Sequence, residues 1–168
     1  MNQQSLSNTT TLKKMNKELK GSNKATNEHK AHVLKFMKEV CISLLKRAFV
    51  HDDSKLSDKE APYYAKAKKL DDITYGTPEY YAEIKRILKP ALDNHYKLNR
   101  HHPEFHENGF KDMTWMDKIE MLVDWKSACL RHKDGDIRKS IEINQKRYGY
   151  SDKEKEEMTQ FLKDVNLW

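Results

Sequence analysis

The chain has 168 residues, of which 37% are hydrophobic and 35% charged, and this suits one domain of ordinary size with a single core. With only five glycines and four prolines, it lacks the turn-forming residues that a sandwich of many short strands needs. The formal net charge is +6, but residues 1–25 hold five lysines against one glutamate, so the other 143 residues carry only +2 and do not favour a nucleic-acid partner.

Hydrophobic side chains recur at helical spacing along most of the sequence, and no segment alternates as a strand does. We therefore predict an all-α fold, a compact bundle of about six helices. Residues 1–25 are rich in small polar side chains and lysine, and we predict a flexible basic tail there. Residues 26–168 are predicted to form the helical domain.

Capping pairs, glycines and prolines mark the ends of the predicted helices. In chain order the helices are Asn27–Val50, one that Ser57 and Glu60 begin, one from Thr77 and Pro78 through His95 to Pro103, Thr114 to about Lys133, Asp136–Arg147, and one that Ser151 and Glu154 begin. Pro90 lies inside the third helix, where it should kink or break it. Gly135 and Gly149 are predicted helix stops.

The two cysteines, Cys41 and Cys129, lie in apolar helical segments without metal-binding spacing. This usage is typical of free thiols in a reducing cytosol. The amino terminus lacks the apolar core of a signal peptide, and no apolar run reaches transmembrane length. We therefore expect a cytoplasmic protein without a membrane partner, and a homodimer stays open.

The first predicted helix carries a histidine on its apolar stripe. His29 shares that stripe with Val33, Phe36 and Val40, so the pattern predicts that His29 faces inward. A single inward histidine is more often a hydrogen-bonded core residue than a metal ligand. His29 alone therefore does not establish a site.

The same helix delivers a His-Asp pair at its carboxyl end. His51 and Asp52 follow an apolar run and precede a polar turn that contains Lys55. Imidazole nitrogen and carboxylate oxygen both bind divalent metals such as Mn, Fe, Co, Ni or Zn. Adjacent helical residues project about 100° apart, so both can bind one ion only when it lies close to the backbone. A helix-end cap is the simpler interpretation of this pair taken alone.

Four of the eight histidines fall between residues 95 and 106. His95 and His102 are seven residues apart, which places them on one face if the helix continues that far. His101 adjoins His102 just before Pro103. A solvated helix end would explain one histidine, whereas this density favours metal binding.

Asp124 lies in the apolar run Met121–Trp125, so its carboxylate is predicted to be partly buried. Burial of a carboxylate is costly unless it pairs with a cation or binds a metal. An ion pair with Arg or Lys from another helix is the simpler explanation for Asp124 alone.

Together these motifs resemble the HD-domain metal-dependent phosphohydrolase superfamily, whose ligand order is His, His-Asp, His, His-His and Asp. A closer resemblance is to a small uncharacterised family from phages and bacteria. That resemblance rests on residues 51–55 (HDDSK), 75–77 (YGT), 99–104 (NRHHPE) and 120–125 (EMLVDW), and covers about residues 26–150. The resemblance implies an HD-domain-like bundle.

The resemblance also implies a ligand set and a reaction. The implied metal ligands are His29, His51, Asp52, His95, His101, His102 and Asp124. They would hold one or two divalent ions (Mn, Fe, Co, Ni, Zn or Mg), with Asp52 as the bridge between two. The implied reaction is hydrolysis of a nucleotide phosphate ester, a nucleoside mono- or triphosphate, by metal-activated water.

Cationic and aromatic side chains near these motifs suggest substrate contacts. Lys55 and Arg100 are placed to neutralise phosphate, although a salt bridge to Asp53 or Asp58 explains Lys55 as well. Arg131 is a weaker candidate for phosphate binding. Glu104 or Asp53 are candidates for orienting imidazoles, and the aromatic residues that could stack on a base are Tyr75, Tyr80, Tyr81 and Trp115.

Three other functions stay open. The first is a phosphodiesterase of cyclic or oligonucleotide signals, which would suit a phage that counters host defence. The second is a nucleic-acid-binding or adaptor protein that uses its basic tail and has a vestigial metal site. The third is a metal-stabilised structural domain without turnover.

Overall fold

The fold is all-α in a computed structural model that describes residues 3–67, 73–74, 77–131 and 133–168, with no strand among them. The helices of this described part are α1 (Gln3–Val50), α2 (Ala61–Lys66), α3 (Pro78–Leu98), α4 (Trp115–Cys129), α5 (Ile137–Tyr148) and α6 (Asp152–Asp164). Short 3-10 turns cover Asp53–Leu56, Pro103–Phe105 and Gly109–Asp112. The all-α prediction is confirmed. None of these described helices is both long and apolar enough to cross a membrane.

The chain divides into two units, Met1–Lys46 and Arg47–Trp168. The described part of the first unit lies entirely within α1, and residues 3–25, predicted as a flexible tail, are helical there. Its large hydrophobic side chains are exposed, among them Val33 at 46% and Phe36 at 64%. The sequence placed a boundary at residue 25, whereas the structure divides the chain after Lys46.

The second unit contains the hydrophobic core. The core combines side chains of α4, α5 and α6 with neighbouring loop residues: Phe110, Met113, Met121, Leu122, Trp125, Ile137, Ile141, Tyr150, Met158 and Leu162. Leu122, Ile141 and Leu162 are at most 1% exposed. This core fixes α4, which carries Asp117, Glu120 and Asp124.

Local sequence explains where the helices of the second unit begin. Thr114 and Asp117 form the predicted capping box of α4, because each side chain bonds the backbone N–H of the other. Ser151 and Glu154 do the same for α6. Thr77 caps α3, which Pro78 begins.

Two glycines allow the chain to turn between α4, α5 and α6. Gly149 ends α5 with φ +68°, the left-handed conformation that favours glycine. A Cβ at Gly135 would lie 1.9 Å from the carbonyl oxygen of Cys129, so only glycine fits after α4. α4 itself ends at Cys129, four residues before the predicted end.

Two predictions about α2 and α3 were wrong. Ser57 ends a 3-10 turn, and its hydroxyl donates to the carbonyl of Ser54 rather than capping a helix, because α2 begins only at Ala61. Of the kink or break predicted at Pro90, the break does not occur, because α3 is one helix from Pro78 to Leu98. α3 ends at Leu98 and not at Pro103, so residues 99–102 leave the helix axis.

Candidate metal centre

The His51-Asp52 pair lies where α1 ends, at the start of the second unit. Asp52 has φ +61°, a left-handed conformation that is uncommon for residues other than glycine but tolerated by aspartate. The chain therefore leaves the helix between the two side chains instead of projecting them about 100° apart. As a result His51 Nε2 lies 3.4 Å from Asp52 Oδ2.

Three histidines come from the end of α3 and the turn after it. His95 lies in the last turn of α3 and is 1% exposed, and His101 is 2% exposed. The ring centroids of His95 and His102 are 4.8 Å apart, and those of His101 and His102 are 4.1 Å apart. The sequence placed His95 and His102 on one helical face, but the turn at residues 99–100 brings His102 back beside His95 instead.

These side chains form two overlapping groups of possible metal ligands within the part of the chain that the structure describes. One nitrogen or oxygen from each member lies within 4.8 Å of the others in both groups. The members are Asp52, His95, His101 and His102 in the first group, and His51, His101 and Asp124 in the second. The structure therefore brings together six of the seven ligands that the resemblance implied.

Asp52 and Asp124 both contact histidines of this cluster. Asp52 Oδ1 lies 3.1 Å from His95 Nε2 and 3.4 Å from His101 Nε2. His95 Nε2 also lies 3.0 Å from His102 Nε2. Asp124 reaches the cluster from α4, with Oδ1 3.5 Å from His51 Nε2.

His29, the seventh implied ligand, belongs to neither group. It lies in the first unit on an exposed part of α1, where Val33, Phe36 and Val40 of its stripe are exposed too. The predicted inward orientation was wrong, because a single helix has no interior and the described part of the first unit consists of one helix. The structure thus offers no support for His29 as a ligand.

Two carboxylates that the sequence analysis missed orient the histidines. Glu120 Oε1 lies 2.9 Å from His51 Nδ1 and 3.1 Å from His101 Nδ1. Glu60 Oε2 lies 3.1 Å from His95 Nδ1. A proton on Nδ1 that is donated to a carboxylate leaves the Nε2 lone pair free, which is the usual arrangement of metal-bound histidine.

Glu60 was predicted as a helix cap, but its contacts assign it to the site. It is fully buried, and it also accepts from Asn94 Nδ2 at 2.7 Å and from the Ser54 hydroxyl at 3.2 Å. No helix begins at Ser57, so Glu60 has no cap to complete. A sequence signal existed for Glu120, which begins the motif at residues 120–125, but neither glutamate has a spacing that would reveal its histidine.

The residues suggested as orienting acids have other surroundings. Glu104 accepts from Arg147 at 2.7 Å and from the Tyr148 hydroxyl at 3.2 Å, and so ties its loop to α5. Asp53 is exposed. The suggestion that Glu104 orients an imidazole was therefore wrong.

A buried acid, Asp117, is linked to Glu120 through an arginine that pairs with both carboxylates. Asp117 is fully buried and pairs with Arg47 at 2.6 Å and with Arg100 at 3.2 Å. Arg47 also donates to Glu120 Oε2 at 2.6 Å. Arg100, predicted to bind phosphate, instead pairs with Asp117 and lies over the Phe105 ring. These contacts place Arg100 in the ion-pair network of Asp117 and give no support for phosphate binding by Arg100.

Lys55 pairs with a carboxylate other than the two suggested from sequence. Its ammonium group forms an ion pair with Asp52 Oδ2 and lies 5.4 Å from the centre of the Tyr64 ring. It is therefore within reach of a ligand at Asp52. Among the other suggested substrate residues, Trp115 is 60% exposed beside Lys118, Tyr80 and Tyr81 contact each other edge to face, and Tyr75 lies outside the described residues.

Burial and neighbouring charges shift the pKa values of side chains in the cluster. Hydrogen bonds with Asp124, Asp52 and Glu120 raise the pKa of His51 to about 11. Burial, together with His101 and His95, lowers the pKa of His102 to about 2, so His102 is neutral. Burial opposes ionisation of Asp52, but the three histidines it contacts and Lys55 outweigh burial and lower its pKa. Metal binding would exchange protons in this cluster for a cation.

Unsatisfied atoms test whether the residues fit a metal. Asp52 Oδ1 and His101 Nε2 are buried and form no hydrogen bond with the described residues, although they lie 3.4 Å apart. A buried polar atom without a hydrogen bond is costly. A cation between an unprotonated nitrogen and a carboxylate oxygen would satisfy both atoms. The donor set of imidazoles and carboxylates without thiolate suits an ion with open positions rather than a zinc-finger site.

The groups share His101, and this limits how they can be filled. An unprotonated Nε2 has one lone pair, and Nδ1 of His101 faces Glu120. His101 can therefore bind only one ion at a time. If two ions were bound, Asp52, His95 and His102 would be available to one and His51 and Asp124 to the other, and His101 would bind only one of them.

Comparison with known proteins finds one family. The sequence model of a family described as a family of unknown function (DUF5662) matches residues 18–166. No curated protein and no solved structure matches the chain. The matched range contains every residue of the cluster, from His51 to Asp124.

Proposed function

The chain belongs to DUF5662, a family of unknown function, and we propose that it is a metal-dependent phosphohydrolase of the HD type that acts on a nucleotide phosphate ester. The observation that carries the proposal is the pair of buried, unsatisfied atoms, Asp52 Oδ1 and His101 Nε2, at the centre of four histidines and two aspartates. A divalent cation bound between these two atoms would satisfy both of them.

Each residue of the cluster would have a distinct role. His51, His95, His101 and His102 would supply nitrogen ligands, and Asp52 and Asp124 would supply oxygen ligands. A divalent ion held there supplies Lewis acidity and lowers the pKa of a water molecule that it coordinates. Glu60 and Glu120 would hold the imidazole rings in the tautomer that binds metal.

The positive charge next to the candidate ligands supports the proposal of phosphate-ester hydrolysis. Phosphoryl transfer depends on positioning and on neutralising the phosphoryl oxygens, and demands little covalent chemistry from the protein. Among the lysines and arginines that the structure describes, Lys55 pairs directly with a candidate ligand, Asp52. A substrate phosphate could take the place of that carboxylate as the partner of Lys55.

Elemental analysis of protein purified without chelator tests the metal. The wild type should retain about one divalent ion or two per chain, and Asp52→Ala should retain almost none. Asp53→Ala is the matched control, because Asp53 is the adjacent carboxylate and is exposed. Equal metal content in the wild type and Asp52→Ala would contradict the site.

Chromatographic analysis of the products (nucleosides, nucleotides, and inorganic phosphate or polyphosphate) formed from a panel of nucleoside monophosphates, nucleoside triphosphates and cyclic or linear dinucleotides tests the reaction. Turnover by the wild type that Asp52→Ala abolishes and Asp53→Ala preserves supports the proposal. The class of substrate that is hydrolysed separates a phosphomonoesterase from a phosphodiesterase. A metal-loaded protein that is inactive on the whole panel would contradict hydrolysis but leave the metal centre standing.

A further inference from the structure

Tyr64 carries a buried hydroxyl that forms no hydrogen bond with any residue that the structure describes. It lies on α2, one helical turn after Glu60, and its backbone N–H donates to the Glu60 carbonyl. Residues four apart share a face of a helix. Since the Glu60 carboxylate contacts His95, Tyr64 lies on the side of α2 that faces the metal ligands.

The surroundings of Tyr64 confirm this placement. The Lys55 ammonium lies 5.4 Å from the ring centre and also pairs with Asp52. Burial, and then the negative charges of Glu60 and Asp52, raise the pKa of the Tyr64 phenol. The phenol therefore keeps its proton and is available as a hydrogen-bond donor.

A buried donor without an acceptor destabilises the folded protein, because it has lost its hydrogen bonds with water. Such a group is expected to have an acceptor that the protein itself does not supply. The Lys55 ammonium lies over the Tyr64 ring at the end of a flexible stem of four carbons, so it could turn from Asp52 to a bound anion.

We propose that the Tyr64 hydroxyl and the Lys55 ammonium together form a subsite for a phosphoryl oxygen of the substrate, beside the metal ligands. The proposal rests on the proposed function and names a residue that binds the substrate. Tyr64 would donate one hydrogen bond, and Lys55 would supply the positive charge. Neither group would ligate the metal, so phosphate affinity and metal affinity should respond differently to substitution.

Tyr64→Phe tests the subsite, with Tyr63→Phe as the matched control. Tyr63 is the adjacent tyrosine of α2, and its ring lies under Lys66 rather than Lys55. Both variants and the wild type would be loaded with the metal found in the purified protein. The dissociation constant of inorganic phosphate would then be measured by isothermal titration calorimetry, and the unfolding midpoint of metal-free protein by thermal denaturation.

Tyr64→Phe should bind phosphate about tenfold more weakly than the wild type, a change of about 1.4 kcal/mol, with unchanged metal content. Its metal-free form should be as stable as the wild type or more stable, because the variant removes an unsatisfied group. Tyr63→Phe should bind phosphate as the wild type does. A merely structural hydroxyl would give the opposite result, a less stable protein with normal phosphate affinity.

The outcomes separate this subsite from the proposed function. Normal metal content with equal phosphate affinity in Tyr64→Phe and the wild type would overturn the subsite alone. A metal-loaded wild type that does not bind phosphate would overturn it too. A wild type that retains no metal would overturn the proposed function and the subsite with it.

Discussion

The first unit, residues 1–46, holds nine lysines against three glutamates, a net charge of +6, whereas the second unit, residues 47–168, holds 23 basic and 23 acidic residues. The whole net charge of the protein therefore resides in the first unit. In the second unit the opposite charges are paired at short range, as in the contacts among Arg47, Asp117 and Glu120. The excess positive charge thus lies in the first unit, and the candidate metal ligands lie in the second.

The units also differ in what they do with apolar side chains. The first unit exposes the stripe that predicted an inward face, with Leu34 at 63% and Phe36 at 64%. The second unit buries Leu122 and Met158 to 1%. Helical periodicity was equally clear in both, so it predicts a helix and not whether that helix has a partner. The second unit, which has the buried core, also contains the candidate metal ligands.

The largest expected difference between the units concerns metal. His101→Ala removes the nitrogen that both ligand groups share, so retained metal should fall to background. His29→Ala in the first unit should leave metal content unchanged, because His29 belongs to neither group. Elemental analysis of both variants checks the comparison. Loss of metal in His29→Ala would restore His29 to the ligand set and contradict the assignment of the site to the six residues of the second unit.

Core substitutions give the next largest effect. Leu122→Ala leaves a cavity under α4 and should lower the free energy of unfolding by about 3 kcal/mol. Phe36→Ala removes a larger side chain, yet should cost less than about 0.5 kcal/mol because that ring is mostly exposed. Urea denaturation followed by far-UV circular dichroism measures both. Similar losses in the two variants would show that the stripe of α1 is covered in solution.

Glu120→Ala should weaken metal binding by about 10- to 100-fold, because it frees the Nδ1 atoms of His51 and His101. The matched control is Glu104→Ala, an acid that the sequence suggested for the same role but that contacts Arg147 and Tyr148. Competition with a chromophoric chelator measures both affinities. Equal weakening in the two variants would argue against orientation of the histidines by Glu120.

Much of the helical framework could be predicted because local signals decide it. The capping boxes at Thr114 and Ser151 and the left-handed Gly149 need only neighbouring residues, and the structure has each of them. The start of α2 could not be predicted in this way. Glu60 matched the cap pattern with Ser57, but a contact with His95, 35 residues away, determines its position.

The candidate site likewise has residues that could be named from the sequence and residues that could not. The resemblance to the HD-domain superfamily implied seven ligands, of which the structure brings six together and leaves out His29. The orienting acids Glu60 and Glu120 were missed, since their role depends on the facing nitrogen of a distant ring. The ion pairs of Asp117 with Arg47 and Arg100 were missed too, because its capping box with Thr114 already accounted for an aspartate at this position.

The smallest expected effect is that of acidic pH on the contribution of Asp117 to the free energy of unfolding. This effect distinguishes the ion pairs of Asp117 from its role as a helix cap. Burial opposes ionisation of Asp117, but hydrogen bonds from Thr114 and from Arg47 and Arg100 outweigh burial and lower its pKa from 3.8 to about 2. A lowered pKa stabilises the folded state above pH 3.8, and this stabilisation is lost as the pH falls from 3.8 towards 2. The contribution of Asp117 is about 2 kcal/mol on this basis.

The comparison of the wild type with Asp117→Asn isolates that contribution. The difference in unfolding free energy between the two should be constant from about pH 7 to pH 5 and should shrink as the pH falls from 3.8 to 2. Asp136→Asn is the control, because Asp136 is also a helix cap, and the ion pair it forms among the described residues is with nearby Arg138, away from Glu120. A difference that stays constant down to pH 2 would mean that the arginines do not hold Asp117 ionised. Asp117 would then contribute through neutral packing and capping, and not through ion pairs with Arg47 and Arg100.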